Sequence, residues 1–168
     1  MIIVTRYTKQ VKDGIIIFTG TEEIPCPVCG GKLKQRGTCL RKVREENETV
    51  VYSLRVMECT KCGKTHRELP FWVVPYKRIA APVLSDIARS DNKNLEKAEG
   101  STWHRIKEWI TWFLNYAMNV LQALLVSDAH IQTVPTGASL CKKLEYFVRL
   151  VANSGRWISH RSAMQRGF

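Results

Sequence analysis

Four cysteines stand in two matched pairs, Cys26-Pro27-Val28-Cys29-Gly30 and Cys59-Thr60-Lys61-Cys62-Gly63. Each pair is Cys-x-x-Cys followed by glycine, and 29 residues separate the pairs. Two tight turns, each aiming two sulfurs at one point, supply the four soft thiolates that a tetrahedral zinc ion takes. The trailing glycine allows the positive φ that closes such a turn, and leaves backbone N–H groups free to donate to sulfur. A redox pair instead follows a strand at the start of a helix. Here Gly30-Gly31 and Gly63 argue against helix starts. Disulfides suit an oxidising compartment, and no signal peptide is read: Met1-Ile2-Ile3-Val4 is only four apolar residues before Arg6. Cys26, Cys29, Cys59 and Cys62 are therefore expected to hold a structural Zn2+. Cys39 and Cys141, the remainder of the six cysteines, read as ordinary buried thiols. His66, four residues past Cys62, can replace a cysteine ligand, but reads as a surface or partner-contact residue.

The chain has 168 residues and a formal net charge of +11, from 26 Lys and Arg against 15 Asp and Glu. That length suits one ordinary domain or two small ones, and 45% hydrophobic residues suffice for a core. The charge favours a polyanionic partner, nucleic acid first. Residues 25–70 and residues 141–168 each carry a net +5, whereas residues 101–140 are nearly balanced. The middle of the chain is thus where a core is expected. Trp109 to Val126 is long enough to span a bilayer. Asn115, Asn119 and Gln122 recur there at helical spacing, which fits a largely buried helix and not a membrane span.

The elements that must position the cysteines follow from periodicity. Residues 1–24 read as an N-terminal β-hairpin, with strands Ile2–Tyr7 and Gly14–Thr19 and a turn at Asp13-Gly14. Residues 25–77 read as a zinc ribbon with a linker. Val50, Tyr52, Leu54 and Val56 alternate with Val51, Ser53, Arg55 and Met57, a strand leading into Cys59. Its partner strand is expected at Leu33–Val43, with Glu45-Glu46-Asn47-Glu48 as the tip. Pro70 and Pro75 make residues 71–77 an extended linker.

From Ile79 the pattern turns helical. Ile79, Val83, Leu84, Ile87 and Ala88 share one face, and Pro82 fits the first turn. A short helix is expected at Asn94–Ala98, and Gly100 breaks the chain. Ser101 is positioned to cap a third helix, whose stripe is Trp103, Ile106, Ile110 and Phe113/Leu114. Residues 78–115 thus read as a helix-turn-helix. A recognition helix offers its N-terminal polar residues to base edges. Thr102, His104, Arg105 and Lys107 are the candidates for that role, with Lys77 and Arg78 as phosphate contacts. Residues 116–168 read as further helices and a basic tail: the third helix runs on to about Val126. Another, capped by Ser139, carries Leu140, Leu144, Phe147, Val148 and Val151 and ends at Asn153-Ser154-Gly155. The fold class is α+β: a β-rich zinc ribbon, then an all-α helix-turn-helix and C-terminal helices.

Cys26-Pro27-Val28-Cys29-Gly30 and Cys59-Thr60-Lys61-Cys62, with His66-Arg67-Glu68-Leu69-Pro70 and Val74-Pro75-Tyr76-Lys77-Arg78, resemble a bacterial family of zinc-ribbon proteins. That family is catalogued as a domain of unknown function and is often transposon-associated. Similar zinc-ribbon and helix-turn-helix front ends occur in bacterial transposases. The resemblance covers about residues 20–115. It implies DNA binding in mobile-element biology and assigns no activity.

A strand-transfer enzyme needs carboxylates held by strands around metal ions. After residue 100 only Glu108, Asp128 and Glu145 remain, on or near expected helices. Zinc held by four thiolates has no open position for chemistry. The sequence therefore reads as a non-enzyme. Its partner is expected to be double-stranded DNA, in the cytoplasm and associated with the nucleoid, as a transposon accessory factor or transcriptional regulator. The C-terminal helices can also form a homodimer seam. The alternative is a protein-interaction module that docks a transposase or polymerase.

Overall fold

The computed structural model describes residues 1–46, 48–90, 100–128, 131–134 and 137–158. Long-range pairing dominates its N-terminal half. The strands are β1 (Ile2–Val4), β2 (Tyr7–Lys12), β3 (Ile15–Gly20), β4 (Leu33–Arg44), β5 (Thr49–Cys59) and β6 (Thr65–Pro70). They form one mixed sheet in the order β1-β6-β5-β3-β2, with β4 on the other side of β5. The helices are α1 (Ala81–Arg89), α2 (Gly100–Leu125) and α3 (Leu140–Asn153). The molecule is thus α+β, with its strands gathered in the N-terminal half.

The β4–β5 ribbon lies close to its expected place. It pairs antiparallel from Leu33 opposite Cys59 to Arg44 opposite Thr49, with a register shift between Gln35 and Gly37. Alternation turns Tyr52, Leu54 and Val43 inward. The first residues differ from expectation. Three strands form where two were expected. The Asp13-Gly14 turn, both residues at positive φ, joins β2 to β3. β1 is separate and pairs parallel with β6 through Ile2 opposite Glu68. Its other edge is closed by α3: the Ile3 N–H donates to Asn153 Oδ1 (2.8 Å), and Asn153 Nδ2 donates to the Ile3 carbonyl (3.0 Å). One side-chain amide thereby satisfies both backbone groups that a further strand would have paired.

The stretch expected as an extended linker is instead two turns, closed by the Val73 N–H on the Pro70 carbonyl (3.0 Å) and the Lys77 N–H on the Val74 carbonyl (3.2 Å), and much of it is buried. Val73 and Val74 are fully inside, and Trp72 packs against Tyr7, Phe18, Tyr52 and Phe71. Prolines exclude a helix there; they do not exclude burial. One hydrophobic cluster runs from Ile3 through Phe18, Leu54, Leu84 and Phe113 to Ala152. The core is therefore shared by sheet and helices and is not confined to the middle of the chain.

Pro82 lies in the first turn of α1, and Ser139 caps α3 by accepting from the Lys142 N–H. α2 begins at Gly100, so Ser101 lies inside the helix instead of capping it. Ile106, Trp109, Ile110 and Phe113 are buried along it, while Asn115, Asn119 and Gln122 face out. Among the described residues no helix is long and apolar enough to cross a membrane. The short helix expected at Asn94–Ala98 and the tail from residue 159 lie outside the described residues.

Candidate metal centre

Two turns bring the cysteines together. In the first, the Gly30 N–H donates to the Cys26 carbonyl (2.8 Å); in the second, the Gly63 N–H donates to the Cys59 carbonyl (3.0 Å). Gly30 and Gly63 both have φ of +69°, the left-handed conformation that glycine adopts at low cost. The turns are tied to each other by the β4–β5 ribbon and by the Thr60 N–H on the Lys32 carbonyl (3.0 Å). The ligand atoms of Cys26, Cys29, Cys59 and Cys62 all lie within 4.8 Å of one another. Cys26 Sγ is 3.8 Å from Cys62 Sγ, and Cys29 Sγ is 3.4 Å from Cys59 Sγ. These are contacts of free thiols, far longer than a disulfide bond. The group can hold a metal ion.

Backbone donors divide the sulfurs. The Cys62 and Lys61 N–H groups both point at Cys59 Sγ, at 3.5 and 3.4 Å. The Cys62 N–H is the larger influence, and together with the Lys61 N–H and the Cys29 thiol it holds the Cys59 thiol down to about 6. For Cys29, the Gly31 N–H pulls down, but burial and the three neighbouring thiols together push it up to about 12. A bound cation removes this conflict, because it favours the thiolate at every position.

Two residues complete the site beyond the expected ligands. A Cβ built on Gly31 falls 2.9 Å from Cys59 Sγ, 2.8 Å from Lys61 Cβ and 3.3 Å from Cys29 Sγ. Gly31 is thus the wall that a side chain would push into the metal position. Gly31→Ala is expected to weaken metal binding about tenfold or more, the scale of damage to a ligand shell, as read by chelator competition. His66 is the second. Expected at the surface, it is 6% exposed, with Nε2 3.3 Å from Cys26 Sγ and Nδ1 3.1 Å from the Met1 amino group. Burial is the first cause of its lowered pKa, followed by the amino group and Lys64. Alternation along β6 explains the correction: His66 and Glu68 point inward, Thr65 and Arg67 outward. Cys39 and Cys141, expected to be buried, are only half-buried.

The residues expected to touch DNA are divided between α2 and the loop before α1. His104 and Arg105 are exposed on the first turns of α2; Thr102 and Lys107 are half-buried. Lys107 Nζ lies 3.9 Å from the centroid of the Trp103 ring. Arg78 is exposed, and its carbonyl accepts from the Arg44 N–H (2.7 Å). Lys77 is turned in: its Nζ sits 4.5 Å from the Trp109 ring, and burial lowers its pKa to about 8. Arg41 donates to the Lys77 carbonyl (2.6 Å) and the Val74 carbonyl (2.9 Å), fixing this segment beside β4.

No curated protein and no solved structure matches the chain. One family model does: a domain of unknown function (DUF6431) lies at residues 26–106, from the first cysteine of the cluster to the second turn of α2.

Proposed function

We propose that the chain is a zinc-stabilised, non-enzymatic DNA-binding protein, a transposon accessory factor or transcriptional regulator acting in the cytoplasm at the nucleoid. Its four cysteines would form a zinc ribbon on β4 and β5. Zn–S bonds of about 2.3 Å in a tetrahedron put sulfurs about 3.8 Å apart; the Cys29–Cys59 and Cys26–Cys62 pairs stand at 3.4 and 3.8 Å, and all four sulfurs lie within 4.8 Å of one another. Four thiolates fill the shell, so the metal's part is to hold shape. α1 and α2 would belong to the helix-turn-helix, with α2 as the reading helix. The observation that carries the DNA reading is the +11 charge with His104 and Arg105 exposed at the start of α2. Such a surface releases counterions when it meets phosphate.

The test is salt-titrated binding to random duplex DNA. A protein contacting about four phosphates loses roughly a hundredfold in affinity between 50 and 200 mM salt. Arg105→Glu is expected to cost about tenfold, and Lys107→Glu less, because Lys107 already rests on Trp103. No binding at low salt would end the DNA reading. Unchanged affinity in the double reversal would exclude α2 as the reader.

A second reading is a protein module that docks a transposase or polymerase. It is favoured by Val28, 52% exposed between the first pair of cysteines, and by Leu40, 65% exposed on β4. Exposed apolar side chains beside a rigid turn suit a protein partner better than phosphate.

A further inference from the structure

In this basic chain, one open cavity is lined by carboxylates and aromatic rings. It has a volume of about 620 Å³ and lies between β2, the tip of the β4–β5 ribbon and the start of α1. Trp72 and Tyr7 form its aromatic wall, with ring centroids 5.3 Å apart and the rings edge-to-face. Glu45, Glu46 and Glu48 line another side. Lys9 reaches in from β2, its Nζ 4.3 Å from the Trp72 centroid and 5.5 Å from that of Tyr7. Both distances are within the roughly 6 Å at which a ring face attracts a cation. The chain thus places one of its own alkylammonium groups on this wall.

We propose that the cavity binds the lysine side chain of a partner polypeptide, and that Lys9 is its internal competitor. Three features fit that occupant. The wall is held in shape: Trp72 Nε1 donates to Glu45 Oε1 (3.0 Å), and the Tyr52 hydroxyl donates to the same oxygen. The floor is apolar, made by Pro82 and Val83 of α1, and suits the methylene stem of a lysine. The charge is complementary, three carboxylates against the single ammonium of Lys9. Lys9 stands on edge strand β2 and is exposed, so it can swing out without disturbing the core. The field of the whole +11 chain repels a cationic peptide. Attraction therefore has to come from the cavity itself, which separates this site from any DNA-binding face.

The test follows the Trp72 indole N–H resonance during titration with a short peptide bearing one lysine, and with the same peptide bearing norleucine. The lysine peptide is expected to shift the resonance and the norleucine peptide is not. Lys9→Ala, or Lys9→Gln if the alanine variant is poorly folded, is expected to tighten lysine-peptide binding about three- to tenfold by removing the competitor. Glu46→Gln with Glu48→Gln is expected to weaken it by a similar factor. Equal shifts with both peptides would overturn the proposal. So would the absence of any shift at millimolar peptide in both the wild type and the Lys9 variant.

Discussion

Removing the zinc proposed for the cysteine cluster, by chelation or by Cys59→Ser, is expected to lower the melting temperature by about 10 °C or more and to open the base of the β4–β5 ribbon. Binding free energy at a structural zinc site is largely folding free energy, and for small zinc modules it reaches about 10–16 kcal/mol. Here the loss is smaller, because the ribbon does not stand alone. Tyr52 and Leu54 of β5 lie in the same cluster as Leu84, Phe113 and Val148 of the helices. That shared core keeps β3, β5 and the helices together when the knuckles open. A loss of about 3–5 kcal/mol is the expected scale, and a chain of this length loses about 2–4 °C per kcal/mol. Cys59 is the position to change. It is 2% exposed, sits opposite Leu33 at the end of the ribbon, and accepts both N–H groups of its turn. Amide exchange should separate the two regions: amides of residues 26–34 and 57–64 lose protection, while those of Phe18, Leu54 and α3 keep it. If metal removal leaves every amide as protected as before, the site does not stabilise the fold. If the whole chain unfolds together, the core is not independent of the metal.

The sequence showed the cysteine cluster because its determinants are local. Two turns closed by Gly30 and Gly63 need only neighbouring residues, and the positive φ at both glycines is what the spacing demanded. The β4–β5 ribbon was legible for a similar reason, since alternation over Val50–Met57 and an acidic tip describe a hairpin between adjacent segments. Elements that depend on distant partners were not legible. β1 has three residues, and its register with β6 and its closure by Asn153 join positions far apart in the chain. β2 is an edge strand whose Thr8, Lys9 and Gln10 are all exposed, so it has no alternation to read. His66 was misplaced because β6 was not seen as a strand; once it is, period two turns His66 inward beside Cys26. Lys77 was assigned from its charge and its place just before the first helix, and neither reveals that its ammonium rests on the Trp109 ring.

Breaking the Arg55–Glu68 pair is expected to be the most damaging substitution away from the metal. Glu68 is 1% exposed, at the junction of three strands. Arg55 of β5 reaches it with Nε on Oε2 (2.8 Å) and NH2 on Oε1 (2.6 Å), a two-pronged contact. The Gly20 N–H at the end of β3 also donates to Oε2 (3.0 Å), and Arg55 NH2 donates to the Gly20 carbonyl (2.8 Å). The pair therefore ties β3, β5 and β6 together where their backbone ladders stop. Gly20 itself leaves no room for a side chain, since a Cβ there falls 2.7 Å from Glu68 Oε1. Arg55→Met strands a carboxylate that has only the Gly20 N–H left. Loss of one partner of a buried pair costs about 3–5 kcal/mol; Arg55 is partly solvated at 20%, which places this variant toward the lower end. The expected fall in melting temperature is about 6–10 °C. Arg55→Met combined with Glu68→Leu removes both charges and is expected to recover much of the loss, because an apolar pair of similar volume is often no less stable than a buried ion pair. Urea unfolding of the two single variants and the double variant measures the coupling directly. A double variant no more stable than Arg55→Met alone would show that the Glu68 carboxylate is worth keeping for its hold on the Gly20 N–H even without Arg55.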